Sequence, residues 1–111
     1  MKFKTRFEDK GLKKKVQRIK EKGQFILDEQ VLKDSNYYAP MDSGELIRSG
    51  VRMTNPGSGK VIWQTPYARK LYYNPDYNFS TDKNPNAQGL WFLVAKSRHL
   101  NDWIRIIKSS L

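Results

Sequence analysis

The sequence predicts an α+β fold built as a single domain over residues 1–111, and three observations predict it. Two segments, about 9–35 and 90–110, carry apolar residues at helical spacing. Between them, two short alternating runs flank a dense cluster of turn residues, the mark of an antiparallel pairing. The length, 111 residues, is that of one domain and not two. A chain of this size buries about two-thirds of its unfolded surface and needs no cross-links. The expected order is a long N-terminal helix, a short capped helix, an antiparallel β-hairpin or small sheet, and a C-terminal helix.

Residues 2–7 alternate Lys, Phe, Lys, Thr, Arg, Phe. Residues 1–8 are therefore either a short strand or a loose arm. From Asp9 to Ser35 the pattern turns helical: Leu12, Val16, Ile19, Ile26, Leu27 and Val31 fall within roughly 140° of arc at 100° per residue. Gly23 lies in this stripe at a cost of about 1 kcal/mol relative to alanine, and marks a close approach or a kink. Lys13, Lys14, Arg18 and Lys22 point the other way. Pro40 sets the latest end of the helix, because the residue before a proline favours an extended backbone. Asp42 with Glu45 three residues on reads as an acidic capping box opening a short helix from Ser43 to about Ser49.

Residues 50–54 and 60–64 then alternate in strand fashion around Asn55-Pro56-Gly57-Ser58-Gly59, which predicts a hairpin with a five-residue loop. Thr65-Pro66 opens the next helix, a capping hydroxyl followed by proline at the first helical position. Residues 74–88 carry two Asn-Pro steps and no periodicity; a loop so long is often functional. Its rings, Tyr77 and Phe79, suit a docking contact better than a spacer. The last segment carries two stripes. Trp91, Phe92, Ala95, His99, Trp103 and Ile106 form one; Leu93, Leu100, Ile104, Ile107 and Leu111 form the other. Together they cover more than half the helix, whereas a single core contact needs only somewhat over 100°. The helix is therefore expected to touch its own core with one stripe and a neighbouring subunit or partner with the other, unless a break near Ser97 resets the phase.

Charge is unevenly placed. The chain carries 21 Lys and Arg against 11 Asp and Glu, a net +10, and residues 1–22 alone hold ten basic and three acidic side chains. That asymmetry fits a polyanionic partner or a solvated face equally well. There is no cysteine and one histidine, which excludes disulfides, thiolate metal sites, a cysteine nucleophile and a two-histidine mechanism. No apolar run approaches the ~20 residues that span a bilayer, and the first residues lack the apolar middle of a signal peptide. A soluble protein of the cytoplasm, or of an assembly built there, is expected.

No catalytic, cofactor or metal set is predicted. His99 lies on an apolar stripe and reads as a packed interface residue rather than a base. The acids are scattered, and Gly57-Ser58-Gly59-Lys60 lacks the spacing of a phosphate loop. Tyr67, Tyr72, Tyr73 and Tyr77 beside Arg69 and Lys70 offer rings and charges that stack on single-stranded bases, but packing explains them more simply.

One ordered series of motifs goes further. Glu29-Gln30-Val31-Leu32-Lys33-Asp34-Ser35, then Tyr38-Ala39-Pro40-Met41-Asp42-Ser43-Gly44-Glu45-Leu46, then Arg48-Ser49-Gly50 resembles the small minor capsid or tail-completion proteins of long-tailed bacteriophages. The resemblance continues through Trp63-Gln64-Thr65-Pro66-Tyr67-Ala68-Arg69, Pro85-Asn86-Ala87, Trp91-Phe92 and Ala95-Lys96, and spans about residues 12–108. It implies a structural, non-enzymatic task in the virion neck, assembled in the host cytoplasm. The implied state is a homo-oligomeric ring, commonly six-fold, between connector or stopper proteins and the tail-tube or terminator proteins, with genome DNA passing through the lumen and no membrane. On that reading Tyr77, Phe79, Leu93, Leu100, Ile104, Ile107 and Leu111 meet a subunit or partner. Lys13, Lys14, Arg18 and Lys22 are the candidates to face DNA, and Asp42, Glu45 and Thr65 cap helices. The alternative is a basic accessory protein that binds nucleic acid on its own.

Overall fold

A computed structural model of the chain describes residues 1–6, 14–41, 44–76, 79, 81 and 83–109, and of residues 14–20 the backbone alone. The elements are β1 (Lys2–Lys4), α1 (Lys14–Asn36), α2 (Glu45–Met53), β2 (Lys60–Ile62), α3 (Ala68–Tyr72) and α4 (Trp91–Ser109). This is an α+β fold in which α1 and α4 pack along each other and a two-stranded sheet closes one side.

The sheet is antiparallel but is not the expected hairpin. β2 pairs with β1, in the register Lys2 to Ile62, Phe3 to Val61 and Lys4 to Lys60. The N-terminal segment is thus the short strand of the two alternatives. The ladder runs on at both ends: the Met1 ammonium donates to the Trp63 carbonyl at 2.8 Å, and Thr5 N–H to the Gly59 carbonyl at 2.8 Å. Residues 50–53, predicted as the partner strand, continue α2 instead. A four-residue alternation fits either period. Here Leu46, Ser49 and Gly50 are buried and Val51 to Met53 exposed, which is helical spacing. Thr54 ends the helix in an extended conformation and reaches β2 through its side chain, its Oγ1 accepting from Ile62 N–H at 2.9 Å.

Aromatic rings fill the space between sheet and helices. Phe3 lies 4.5 Å from Phe92, 4.9 Å from Tyr72 and 5.8 Å from Trp63, centroid to centroid. Trp91 meets Tyr72 edge-on at 4.8 Å and Trp63 at 6.0 Å. Offset and edge-to-face pairs of this kind add about 0.5–1.5 kcal/mol each beyond the area they bury. A strand of three residues is too short to stand on its own hydrogen bonds; Phe3 anchors β1 by sinking into this cluster.

On α1 the buried face is Gln24, Leu27, Asp28, Val31, Asp34 and Ser35, with Tyr38 just past the helix end. Ile26, placed in the predicted core stripe, is exposed instead. It lies about 100° round the helix from Leu27, and Gln24, Asp28 and Asp34, each hydrogen-bonded, take the places beside Leu27 and Val31. Leu12 lies outside the described residues, as do the side chains of Val16 and Ile19. The predicted start of the third helix also moves: α3 begins at Ala68 rather than Pro66, and Tyr67 in its capping position makes no side-chain bond. Thr65 accepts from Ala68 N–H through its backbone carbonyl at 3.3 Å, while its hydroxyl is buried without a partner among the described residues. Proline locally favours the turn that precedes the helix as well as a helix start.

Candidate functional site

α4 runs unbroken through Ser97, whose hydroxyl folds back on the Val94 carbonyl at 2.8 Å. The wheel phase therefore holds along the whole helix. Trp91, Phe92, Ala95 and Trp103 are buried, and His99 and Ile106 partly so. The second stripe looks outward: Leu93 is 52% exposed, Leu100 41% and Ile104 37%, with Ile107 half-buried. Tyr77 and Leu111, expected on the same surface, lie outside the described residues; Phe79 is half-buried.

Part of that stripe forms the wall of a groove. Between α1, α4 and the end of β1 lies a depression of about 230 Å³. Its floor is Leu27, Val31, Phe92 and Trp103; Leu100, Ile104 and Ile107 rise along one side, and Lys4, Arg6 and Lys96 stand at the rim. Small-molecule pockets run from about 300 to 1,000 Å³, so this shape takes side chains rather than a cofactor.

Beside the groove, a buried acid ties the strands to α1. Asp28 is fully buried in α1 and accepts four donors. The Thr5 hydroxyl and the Gln24 amide (2.9 Å) reach Oδ1; the Gly57 and Gly59 N–H groups reach Oδ2 at 2.8 and 2.9 Å. One carboxylate thereby ties the end of β1 and the turn before β2 to the middle of α1. Gly57 and Gly59 both have positive φ, 97° and 79°, which lets their N–H groups converge on it. Asp34 does the same between the long helices, accepting from Gln30 at 2.9 Å and from the Trp103 indole N–H at 2.8 Å.

Of the candidate DNA-facing residues, Lys22 is exposed; Lys13 and the side chains of Lys14 and Arg18 lie outside the described residues. Asp42 of the proposed capping box is likewise outside them. Glu45 is the first residue of α2, and its carboxylate accepts from Arg52 at 3.2 Å and Arg48 at 3.4 Å. The Arg52 and Arg48 guanidiniums hold its pKa below the usual carboxylate value. His99 stands 3.6 Å from Asp102, which also takes Arg105. No group of acids and histidine suited to a metal is found among the described residues. Of the tyrosines beside Arg69 and Lys70, Tyr72 is buried and Tyr67 and Tyr73 are exposed. The long loop is pinned where it passes α1: Asn84 Nδ2 donates to the Tyr37 and Ala39 carbonyls at 2.9 and 2.8 Å, and Gln88 N–H to the Tyr38 carbonyl at 3.0 Å.

Compared with known protein families, residues 3–110 match the minor capsid proteins. The chain belongs to that family. Comparison with curated proteins and with solved structures gives no match. Membership makes this minor capsid protein a structural component of a phage virion. Among its described residues no helix is long and apolar enough to cross a membrane.

The family-like motifs fall mainly in the frame of the fold. Gly50 of Arg48-Ser49-Gly50 lies against Trp63 of Trp63-Gln64-Thr65, so closely that a Cβ would stand 2.6 Å from the indole Nε1. Ser49 Oγ accepts from Gln64 N–H at 3.3 Å, and Trp63 Nε1 donates to Asn36 at 2.8 Å. Sequence reasoning missed Asp28 and Asp34 as organising residues. The available signal was position: on a helical wheel Gln24, Asp28, Asp34 and Ser35 sit beside Leu27 and Val31, where an acid needs a partner to be tolerated.

Proposed function

We propose that this minor capsid protein is a neck protein whose copies form a ring joining the DNA-filled head to the tail, and that it performs no catalysis. The observation that carries the reading is the outward apolar stripe of α4. Leu93, Leu100 and Ile104 are exposed on a helix whose opposite face is already buried in the core. Apolar side chains spaced along one helix face mark an interaction surface rather than scattered greasy positions. The ring, commonly six-fold, would bury this stripe and the long loop between neighbouring subunits or on the adjoining rings, the connector or stopper on one side and the tail-tube or terminator on the other. Genome DNA passes through the opening, and the basic side of α1 is the surface suited to it. The test is electron microscopy of particles assembled without the protein. Filled heads beside separate, finished tails support the joining role; normally joined particles refute it.

A second reading has one observation in its favour. Tyr67 and Tyr73 are exposed next to exposed Arg69 and Lys70, an arrangement of rings and cations able to hold single-stranded nucleic acid. It requires binding that weakens steeply with salt. A gel-shift titration at two salt levels with no retardation at the lower one removes it.

A further inference from the structure

We infer that the groove between α1 and α4 is the seat of an acidic, amphipathic helical segment of a different virion protein, not of a second copy of this chain. The inference rests on the virion reading above for the source of the partner; the chemistry of the partner comes from the groove itself.

Three features fix that chemistry. The first is shape. Leu100, Ile104 and Ile107 follow one another at i, i+4 and i+7 and make a ridge beside a floor of Leu27, Val31 and Trp103. A row with that spacing accepts the matching row of another helix, whose apolar anchors repeat at three and four residues. The second is the rim. Lys4, Arg6 and Lys96 stand around the apolar floor, and among the described residues no acidic one lines the groove. Among the described residues neither Lys4 nor Lys96 has an ion-pair partner, and the Arg6 guanidinium donates to the uncharged Ser58 carbonyl. A partner whose carboxylates flank its apolar anchors meets these cations; a basic or neutral partner leaves them unanswered. The third feature excludes the obvious competitors. Two copies joined through this face would set Lys4, Arg6 and Lys96 against their own equivalents, on chains that each carry +10. Nor do the described residues offer a complementary patch elsewhere: their exposed acids, Glu21, Glu29, Asp76 and Asp102, are scattered, and Asp102 already pairs with His99 and Arg105. DNA would satisfy the rim but not the apolar wall, since a phosphate backbone gains nothing from exposed leucine and isoleucine.

The experiment is photo-crosslinking during infection, with p-benzoylphenylalanine in place of Leu100 or of Ile104, and mapping of the joined peptide by mass spectrometry. The expected product is a crosslink to one other virion protein. The mapped peptide carries Leu, Ile or Phe at helical spacing between Asp and Glu residues. A crosslink to a second copy, to DNA, to a basic segment or to nothing overturns the inference. In parallel, Lys4→Glu combined with Lys96→Glu is expected to lower incorporation into particles by about tenfold or more. Leu100→Asp is expected to lower it by about thirtyfold, as for an interface anchor. Both variants should melt as the parent does, because these side chains are exposed. A large loss of melting temperature in Leu100→Asp would mean that the chain itself covers the face, and overturns the inference too. The two proposals fail separately. Joined particles without the protein refute the neck role whatever the crosslink shows, and a crosslink between copies refutes the acidic partner even if heads and tails stay apart.

Discussion

Asp28 shows what one side chain does for this molecule. A fully buried carboxylate is tolerated because four donors surround it, two of them backbone N–H groups of a glycine turn. Asp28→Ala removes the acceptor and leaves the Gly57 and Gly59 N–H groups facing an apolar gap. Each buried group left unpaired costs about 1–3 kcal/mol, so the variant is expected to lose about 3 kcal/mol or more in urea denaturation; an unchanged midpoint would show that the turn does not depend on it. Tyr72 is the opposite case. Its hydroxyl is buried and points towards the Leu93 backbone without a hydrogen bond of standard geometry. Burial pushes its pKa up to about 12 from 10.0. A raised folded-state pKa gives stability that is complete below pH 10 and is lost between pH 10 and 12, about 3 kcal/mol in all. Tyr72→Phe should therefore match or slightly exceed the parent at pH 7 and show a flatter alkaline limb, read from melts across pH 8–12. Gly50 sets a third constraint. Alanine gains about 1 kcal/mol of helix propensity there, but its Cβ would meet the Trp63 indole at 2.6 Å. Over-packing costs about 1–3 kcal/mol, and Trp63 is locked by its bond to Asn36, so the clash wins. Gly50→Ala is expected to be destabilised by about 1 kcal/mol and to shift the Trp63 indole N–H resonance.

Among elements, α2 and α3 carry the main departures from sequence expectation. α2 runs to Met53 because Leu46, Ser49 and Gly50 fit a helix face against Trp63, and four alternating residues are too few to outweigh a helix already started at Glu45. α3 starts at Ala68, capped by the Thr65 carbonyl and not by its hydroxyl. Thr65→Ala is accordingly expected to leave the melting temperature within about 2 °C of the parent, whereas a true hydroxyl cap would cost about 1 kcal/mol and a visibly larger shift. α4 behaves as its two stripes foretell along the described residues: the Trp91–Trp103 stripe packs inward and the Leu93–Ile104 stripe remains open. β1 was the least legible element. Nothing local decides between strand and arm for Lys2–Lys4; the choice is made by Phe3 entering the aromatic cluster and by the free edge of β2.

At the scale of the whole molecule the dominant quantity is charge. With +10 on a body extending 49 × 25 × 20 Å, copies repel one another at low ionic strength, where screening reaches beyond about 10 Å. The purified protein is expected to stay monomeric in low salt and to assemble only when partners neutralise it. Light scattering at low and high salt checks this, and a closed ring in low salt without partners would contradict it.

The α+β class, the two long helices and the apolar surplus of the last one are written in the residues' order, because helical periodicity over some twenty residues is a property of the chain alone. That order also carries the motifs shared with the minor capsid family. Tertiary structure decided which strand pairs with β2, where Gly50 must fit, what partners Asp28 and Asp34, and that Leu100, Ile104 and three cations surround one groove. Those facts are pairings between residues far apart in the chain. Short segments do not encode their partners; the partner is chosen by whichever surface the packed helices leave within reach.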